Sequence, residues 1–155
     1  MSLTVHTARI NYRGHDRLDV TRKSGKEGIF LAPSWSIIGP VIRARQTLSN
    51  RRLEERELFE IVERDGVEAS TAMQALAFQI SEIEREVEEA WDRYVPKFLE
   101  EMRASYRARR AEWDALLARE RVTLCCFCTD PQRCHRTLLA RDILPKLGAT
   151  YAGEL

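Results

Sequence analysis

Long apolar runs are missing from this chain: no stretch approaches the ~18 consecutive apolar residues that cross a bilayer, so no membrane-spanning role is expected. Net charge is nearly missing as well. The 25 basic and 24 acidic residues cancel to +1, which leaves no overall field to favour DNA, RNA or an acidic lipid surface. Familiar nucleotide-binding loops are absent, with no G-x-G-x-x-G after a first strand and no Walker-type loop anywhere. There is no internal repeat and no low-complexity segment. No targeting segment is read at the start, and a cytoplasmic setting is expected.

At 155 residues the chain suits one domain that buries roughly 70% of its unfolded surface and needs neither disulfide nor structural metal to fold. Leu3 to Ile10 alternates and carries Val, Thr and Ile, which predicts a first strand. Arg13 to Asp16 is a turn, and Arg17 to Thr21 a second short strand. Lys23-Ser24-Gly25-Lys26-Glu27-Gly28 is a polar, glycine-bearing loop, either a solvated connection or a place where backbone N–H groups approach an anion. Ile29 to Pro40, interrupted by Pro33, Gly39 and Pro40, reads as a buried or cleft-lining loop.

Val41 to Leu48 reads as a short helix or its approach. A further helix is predicted over Leu53 to Arg64, capped by Ser49 or Asn50 and stopped at Asp65-Gly66. From Glu68 the sequence is strongly helical. Met73, Leu76, Ile80, Ile83, Val87, Trp91 and Tyr94 recur at three- and four-residue steps, with Ser70 or Thr71 as cap. Glu82, Glu84, Glu86, Glu88 and Glu89 make a solvated face. Pro96 is expected to end or kink that helix. Phe98, Met102, Tyr106, Trp113, Leu116 and Leu117 then give the next one a buried stripe through about Arg119.

The chemistry concentrates between Val122 and Leu147. A strand-like VTLCCFC breaks at Thr129-Asp130-Pro131, and an apolar-periodic helix opens at His135 and closes at Gly148. All four cysteines, Cys125, Cys126, Cys128 and Cys134, fall within this turn, with His135 and Arg136 directly after. Ala149 to Leu155 can form a last strand. Strands alternating with helices predict a three-layer α/β domain with a Rossmann-like core and a mostly parallel sheet, in which ligands lie outside the carboxyl edge.

This C-terminal stretch resembles the family catalogued as Domain of Unknown Function 488, with a Cys-His-Arg triplet opening a helix after a strand. Asp19 to Gly25, Phe30 to Trp35, Met102 to Tyr106 and Tyr151 to Glu154 support the likeness. Glu54 to Ala90 has no matched counterpart, so about residues 50 to 95 read as a helical insertion in a single domain. The resemblance implies an α/β fold and an Asp-Arg pair near the cysteine loop, and it supplies no established reaction.

The residues therefore carry the chemistry. Cys134 and His135 at a helix start, with Arg136 beside them, favour a thiolate or a bound anion. Strand alternation puts Cys126 and Cys128 on one face, so Cys126, Cys128, Cys134 and His135 can converge as a zinc-binding set. Opposing this, buried strand cysteines are commonly inert and the paired knuckles of a zinc finger are absent. A Cys-loop-Arg phosphatase is excluded by spacing, since only four residues separate Cys128 from Arg133.

Two function classes follow. In one, a small enzyme or binding protein takes a phosphorylated or nucleotide-like small molecule. Arg136, Arg22, Lys23 and Ser24 hold the anion, Cys134 and His135 act, and Asp19 orients His135 or an arginine. In the other, the cysteines hold zinc or sense oxidation in a regulatory module acting through a protein partner. A third reading gives Asp19, Arg22 and Arg136 a structural role as a buried ion-pair network.

Overall fold

The computed structural model describes residues 2–65 and 70–155. The helix stop at Gly66, the onset of the next run at Glu68 and the side chain of the Ser70 cap lie outside the described residues. The chain forms two compact units, one running to Trp35 and resuming at Pro96, the other comprising Ser36–Val95.

The first unit holds a four-stranded, all-parallel sheet in the order β2-β3-β1-β4, formed by β1 (Thr4–Arg9), β2 (Arg17–Asp19), β3 (Arg121–Cys126) and β4 (Thr150–Glu154). Every residue of β3 after Arg121 is buried, as expected of a central parallel strand covered on both faces. The alternating exposure of β4 fits its place at an edge. The sheet and the helices around it give the mixed α/β, Rossmann-like fold anticipated. Register sets Asp19 beside Cys125, and Arg9 beside Cys126. The carboxyl ends of β1, β2 and β3 therefore meet where the cysteines begin.

The buried threonines Thr7 and Thr123 on the sheet have polar partners. Thr7 Oγ1 and the Tyr151 hydroxyl lie 2.9 Å apart. Asp16 accepts from Thr123 Oγ1 at 2.6 Å, from the Tyr12 hydroxyl at 2.8 Å and from Arg121 Nε at 2.9 Å. Burial pushes the Asp16 carboxyl up, but these donors outweigh it and hold the group at about 2. A carboxyl depressed on folding stabilises fully above its unfolded pKa near 4, and the contribution is lost as pH falls through about 2. Asp16→Asn is accordingly expected to cost roughly 1–2 kcal/mol at pH 7, after allowance for solvent screening. In urea unfolding curves the gap between the two proteins should close as pH drops from about 4 toward 2.

Helix boundaries depart from the sequence reading in three places. Ile29 to Pro40 is not a loop throughout: Ile29–Leu31 is a 3₁₀ turn, and α1 (Trp35–Asp65) begins before Gly39 and Pro40. Pro40 lies early enough in α1 that its missing N–H removes only one rung, to the carbonyl of Ser36. Ser49 and Asn50 cap nothing, because α1 runs through them; Asn50 Oδ1 instead accepts from Gln46 one turn back. Pro96 does not end its helix either. α2 (Ser70–Ala108) continues through it, with Tyr94 and Phe98 buried on either side. The break comes at Arg109, whose backbone leaves helical values before α3 (Arg110–Leu117).

The Ser36–Val95 unit is an antiparallel helical hairpin. Arg45 lies over the Trp91 ring and Arg52 bonds Glu84 at 2.9 Å, so as one position advances by seven the other retreats by seven. Ile80, Val87, Ala90 and Trp91 form the buried stripe, and the glutamates from Glu84 to Glu89 are exposed. No helix among the described residues is long and apolar enough to cross a membrane.

Candidate functional site

β3 delivers Cys126 to the carboxyl edge of the sheet, and the loop beyond it turns the chain back. Asp130 accepts from Gln132 N at 2.9 Å and Pro131 opens a 3₁₀ turn over Pro131–Arg133, a short stop that both residue types favour. The chain then enters α4 (His135–Thr137), continuing as a π-helical turn over Leu138–Ile143 and a 3₁₀ turn over Leu144–Leu147. Gly148, in the left-handed region at φ 97°, ends the segment.

This hairpin of strand and helix brings three donors together. Cys126 Sγ, Cys134 Sγ and a ring nitrogen of His135 all lie within 4.8 Å of one another, and all three residues are buried. Cys126 Sγ is 3.8 Å from Cys128 Sγ and 3.8 Å from His135 Nδ1. Cys128 is only half-buried. Sulfurs bound at 2.3 Å to one tetrahedral Zn²⁺ stand about 3.8 Å apart, and a sulfur and a nitrogen about 3.6 Å, so the spacings fit that ion. The four residues named from sequence thus share one corner of the molecule. Cys125 does not join them: it faces away, toward the Thr123 carbonyl, and burial pushes its thiol up to about 11.

His135 is held from behind. Its Nε2 lies 2.8 Å from the Val20 carbonyl, so Nε2 carries the proton and donates, leaving the Nδ1 lone pair toward Cys126. Burial lowers its pKa and keeps the ring neutral, and the Phe98 ring stands edge-on to it at 5.7 Å. A neutral imidazole anchored through its far nitrogen to a backbone carbonyl is the usual support of a metal-ligating histidine.

The thiols hold protons unequally. Donation from Cys128 and Cys134, with Arg136 nearby, lowers Cys126 to about 3, while burial and then Cys126 raise Cys134 well above its ordinary value. Cys134 is the more deeply enclosed of the two, so burial opposes its ionisation the more strongly.

Arg136 is completely buried. It donates from Nη1 to the Cys128 carbonyl at 2.8 Å and toward Cys134 Sγ at 3.3 Å, and from Nη2 and Nε to the two Glu154 oxygens at 2.7 and 3.3 Å. Its fork is therefore occupied by the protein. Glu154 reaches it through a bulge in β4, where the register with β1 shifts after Val5 and Gly153 takes φ 110°.

The remaining residues named from sequence are arranged otherwise than expected. Asp19 touches neither His135 nor an arginine fork. Its carboxylate accepts from Thr21 N at 2.9 Å, Thr21 Oγ1 at 2.6 Å and Ser24 Oγ at 2.5 Å, closing a turn on itself. Arg22 donates to the carbonyls of Pro33 and Ala32 at 2.9 and 3.0 Å. Asp19, Arg22 and Arg136 thus form no common network, and the buried Arg136 pairs with Glu154, not with Asp19. Lys23 extends its ammonium over the Phe127 ring at 5.9 Å, linking the Lys23–Gly28 loop to the cysteine loop. Gly28 in that loop sits against the Asp19 carbonyl, where a Cβ would collide.

Sequence reasoning gave no role to Glu154 or to the Val20 carbonyl. A backbone carbonyl leaves no trace in sequence. An acid in the terminal strand ATYAGEL did offer a signal for Glu154, since strand acids are depleted unless partnered. No curated protein and no solved structure matches the chain. Residues 70–147, half of the chain and the whole cysteine loop, match the family model described as DUF488-N3a, active DUF488-N3 subclade, and the chain belongs to the Domain of Unknown Function 488 family.

Proposed function

We propose that the cysteine loop is a zinc centre, with Cys126, Cys134 and His135 Nδ1 as its ligands and Cys128 as the fourth. The observation that carries this reading is the convergence of buried sulfurs and a carbonyl-anchored imidazole at tetrahedral spacings. Cys128 is the least buried of the set, and it is the position at which the coordination sphere opens to a substrate. A bound zinc would supply Lewis acidity there. A regulatory zinc module acting through a protein partner shares the same ligands and differs in keeping Cys128 bound.

A second reading places a phosphorylated or nucleotide-like molecule beside the loop. Lys23 favours it, being exposed and lying over Phe127, while the Arg22 Nε and Nη2 groups and the Ser24 hydroxyl would have to leave the Pro33, Ala32 and Asp19 oxygens they now bond. Arg136 has no part in that version, because its donors are satisfied within the protein.

The test is elemental analysis of protein purified without a metal-affinity step, followed by replacement with Co²⁺. One metal per chain is expected, with the intense thiolate-to-cobalt absorption of a tetrahedral site, and Cys126→Ser and Cys134→Ser should each lose both. Zinc equilibration that leaves no metal bound and every thiol equally reactive would end the proposal. A thermal shift with inorganic pyrophosphate that vanishes in Lys23→Ala with Arg22→Ala would then move the argument to the second reading.

A further inference from the structure

The C-terminal part of α2, α3 and the end of the last helical segment enclose a hollow of 260 Å³. Leu99, Met102 and Tyr106 line one wall, Ile143 and Leu147 the other, with Trp113 between them. One wall ends an unusually wound segment. Leu138–Ile143 is π-helical over six residues, a rare form that broadens a helix, puts its ridges out of step with its neighbours and recurs at functional sites. The aromatic floor is held rigidly. Trp113 is fully buried, its indole N–H donates to Ser105 Oγ at 3.1 Å, and Tyr106 meets it edge-on at 5.5 Å. Arg110 lies over the Tyr106 ring at 4.4 Å and fixes that ring in turn.

The rim is cationic. Arg103 and Arg107, one turn apart on α2, and Lys146 border the opening. Neither arginine has an ion-pair partner among the described residues. The acid on the rim, Asp142, already has both oxygens bonded to Arg141, at 2.8 and 2.9 Å. Cations near helix C-termini are favoured by the helix dipole. That accounts for Arg107 and Lys146, but not for Arg103, more than a turn from the end, nor for an apolar hollow between the charges.

We infer that this hollow binds a small organic anion with a flat apolar body. The body lies against Leu99, Tyr106, Ile143 and Leu147, the accessible part of the lining, with the enclosed Trp113 directly behind them, and its carboxylate is gripped between Arg103 and Arg107, whose planar forks match that group. The volume lies just below the usual range for small-molecule sites, which suits one or two fused rings. The site uses none of the metal-ligand candidates and stands or falls independently of them.

The experiment is titration of the full chain with 1-naphthoate, followed by the three tryptophan indole resonances in ¹⁵N-labelled protein. The Trp113 indole should shift while those of Trp35 and Trp91 stay. Because both arginines are exposed, R103E with R107E should fold with an unchanged thermal midpoint and bind at least tenfold more weakly. The uncharged 1-naphthalenemethanol should also lose at least tenfold against the parent. An unmoved Trp113 indole, or equal binding by the double variant or by the alcohol, overturns the assignment.

Discussion

Arg136→Ala should lower the stability of the protein by about 3–5 kcal/mol, because it empties a fully enclosed site and removes four hydrogen bonds donated by a charged group. The guanidinium is wholly enclosed and serves three elements at once: the cysteine loop through the Cys128 carbonyl, the helix start through Cys134, and the edge strand through Glu154. Alanine leaves a cavity where the guanidinium was and takes the donor from the Cys128 carbonyl; the Glu154 carboxylate, at the exposed edge, is re-solvated by water. For a chain of this size the loss corresponds to a fall of roughly 6–20 °C in thermal midpoint. Arg136→Lys should recover only part of it, because one ammonium cannot span both carboxylate oxygens and the carbonyl together. Glu154 has its own pKa lowered: burial raises it, but Arg136 outweighs that. The pair's contribution therefore holds above the ordinary glutamate range and is lost as pH falls below it. Chemical unfolding of the three proteins at pH 7 decides the matter. An alanine variant within 1 kcal/mol of the parent would show that the pair is dispensable.

That same pair marks where sequence reading stops. The strand, turn and helix around Cys134 were legible because each carries local signals: a strand-forming run, Asp130-Pro131, and Gly148 at the end. The cysteine and histidine set was legible for the same reason, since alternation and proximity in sequence suffice to bring Cys126, Cys128, Cys134 and His135 to one place. Partners distant in sequence were not. Asp19 and Arg22 are near the cysteine loop, yet which groups they bond depends on how the Thr21 to Pro33 segment folds over β2, a tertiary outcome with no periodic trace. Helix ends failed for a related reason. Pro40, Ser49, Asn50 and Pro96 are genuine breakers or caps by propensity, and burial of flanking apolar residues such as Val41, Tyr94 and Phe98 overrides them. The Rossmann-like class survives those errors because it rests on the parallel β1-β3-β4 frame, which the helix boundaries do not alter.

With the proposed zinc centre loaded, removal of the metal is the second large effect expected. A ligand that binds only the folded chain at a thousandfold excess over its Kd stabilises by about 4 kcal/mol, or roughly 8–16 °C of thermal midpoint in a domain of this size. The apoprotein should nonetheless stay folded, unlike a zinc finger, because Val5, Leu124, Trp113 and Leu139 belong to a buried core that contains none of the proposed ligands. Thiol chemistry should report the local change. In loaded protein the loop cysteines resist alkylation, and on chelation Cys128 should react first, as the half-buried member, with Cys126 and Cys134 following slowly. Metal retention should weaken with acid, since protons compete for the sulfurs and the imidazole, so chelation at pH 5 ought to be faster than at pH 8. A chelator that strips the metal yet leaves the midpoint within a degree would mean the ion sits elsewhere, on a surface the fold does not depend upon. A large drop with Cys128 exposed first would support the proposed ligand set, with Cys128 as its most labile member.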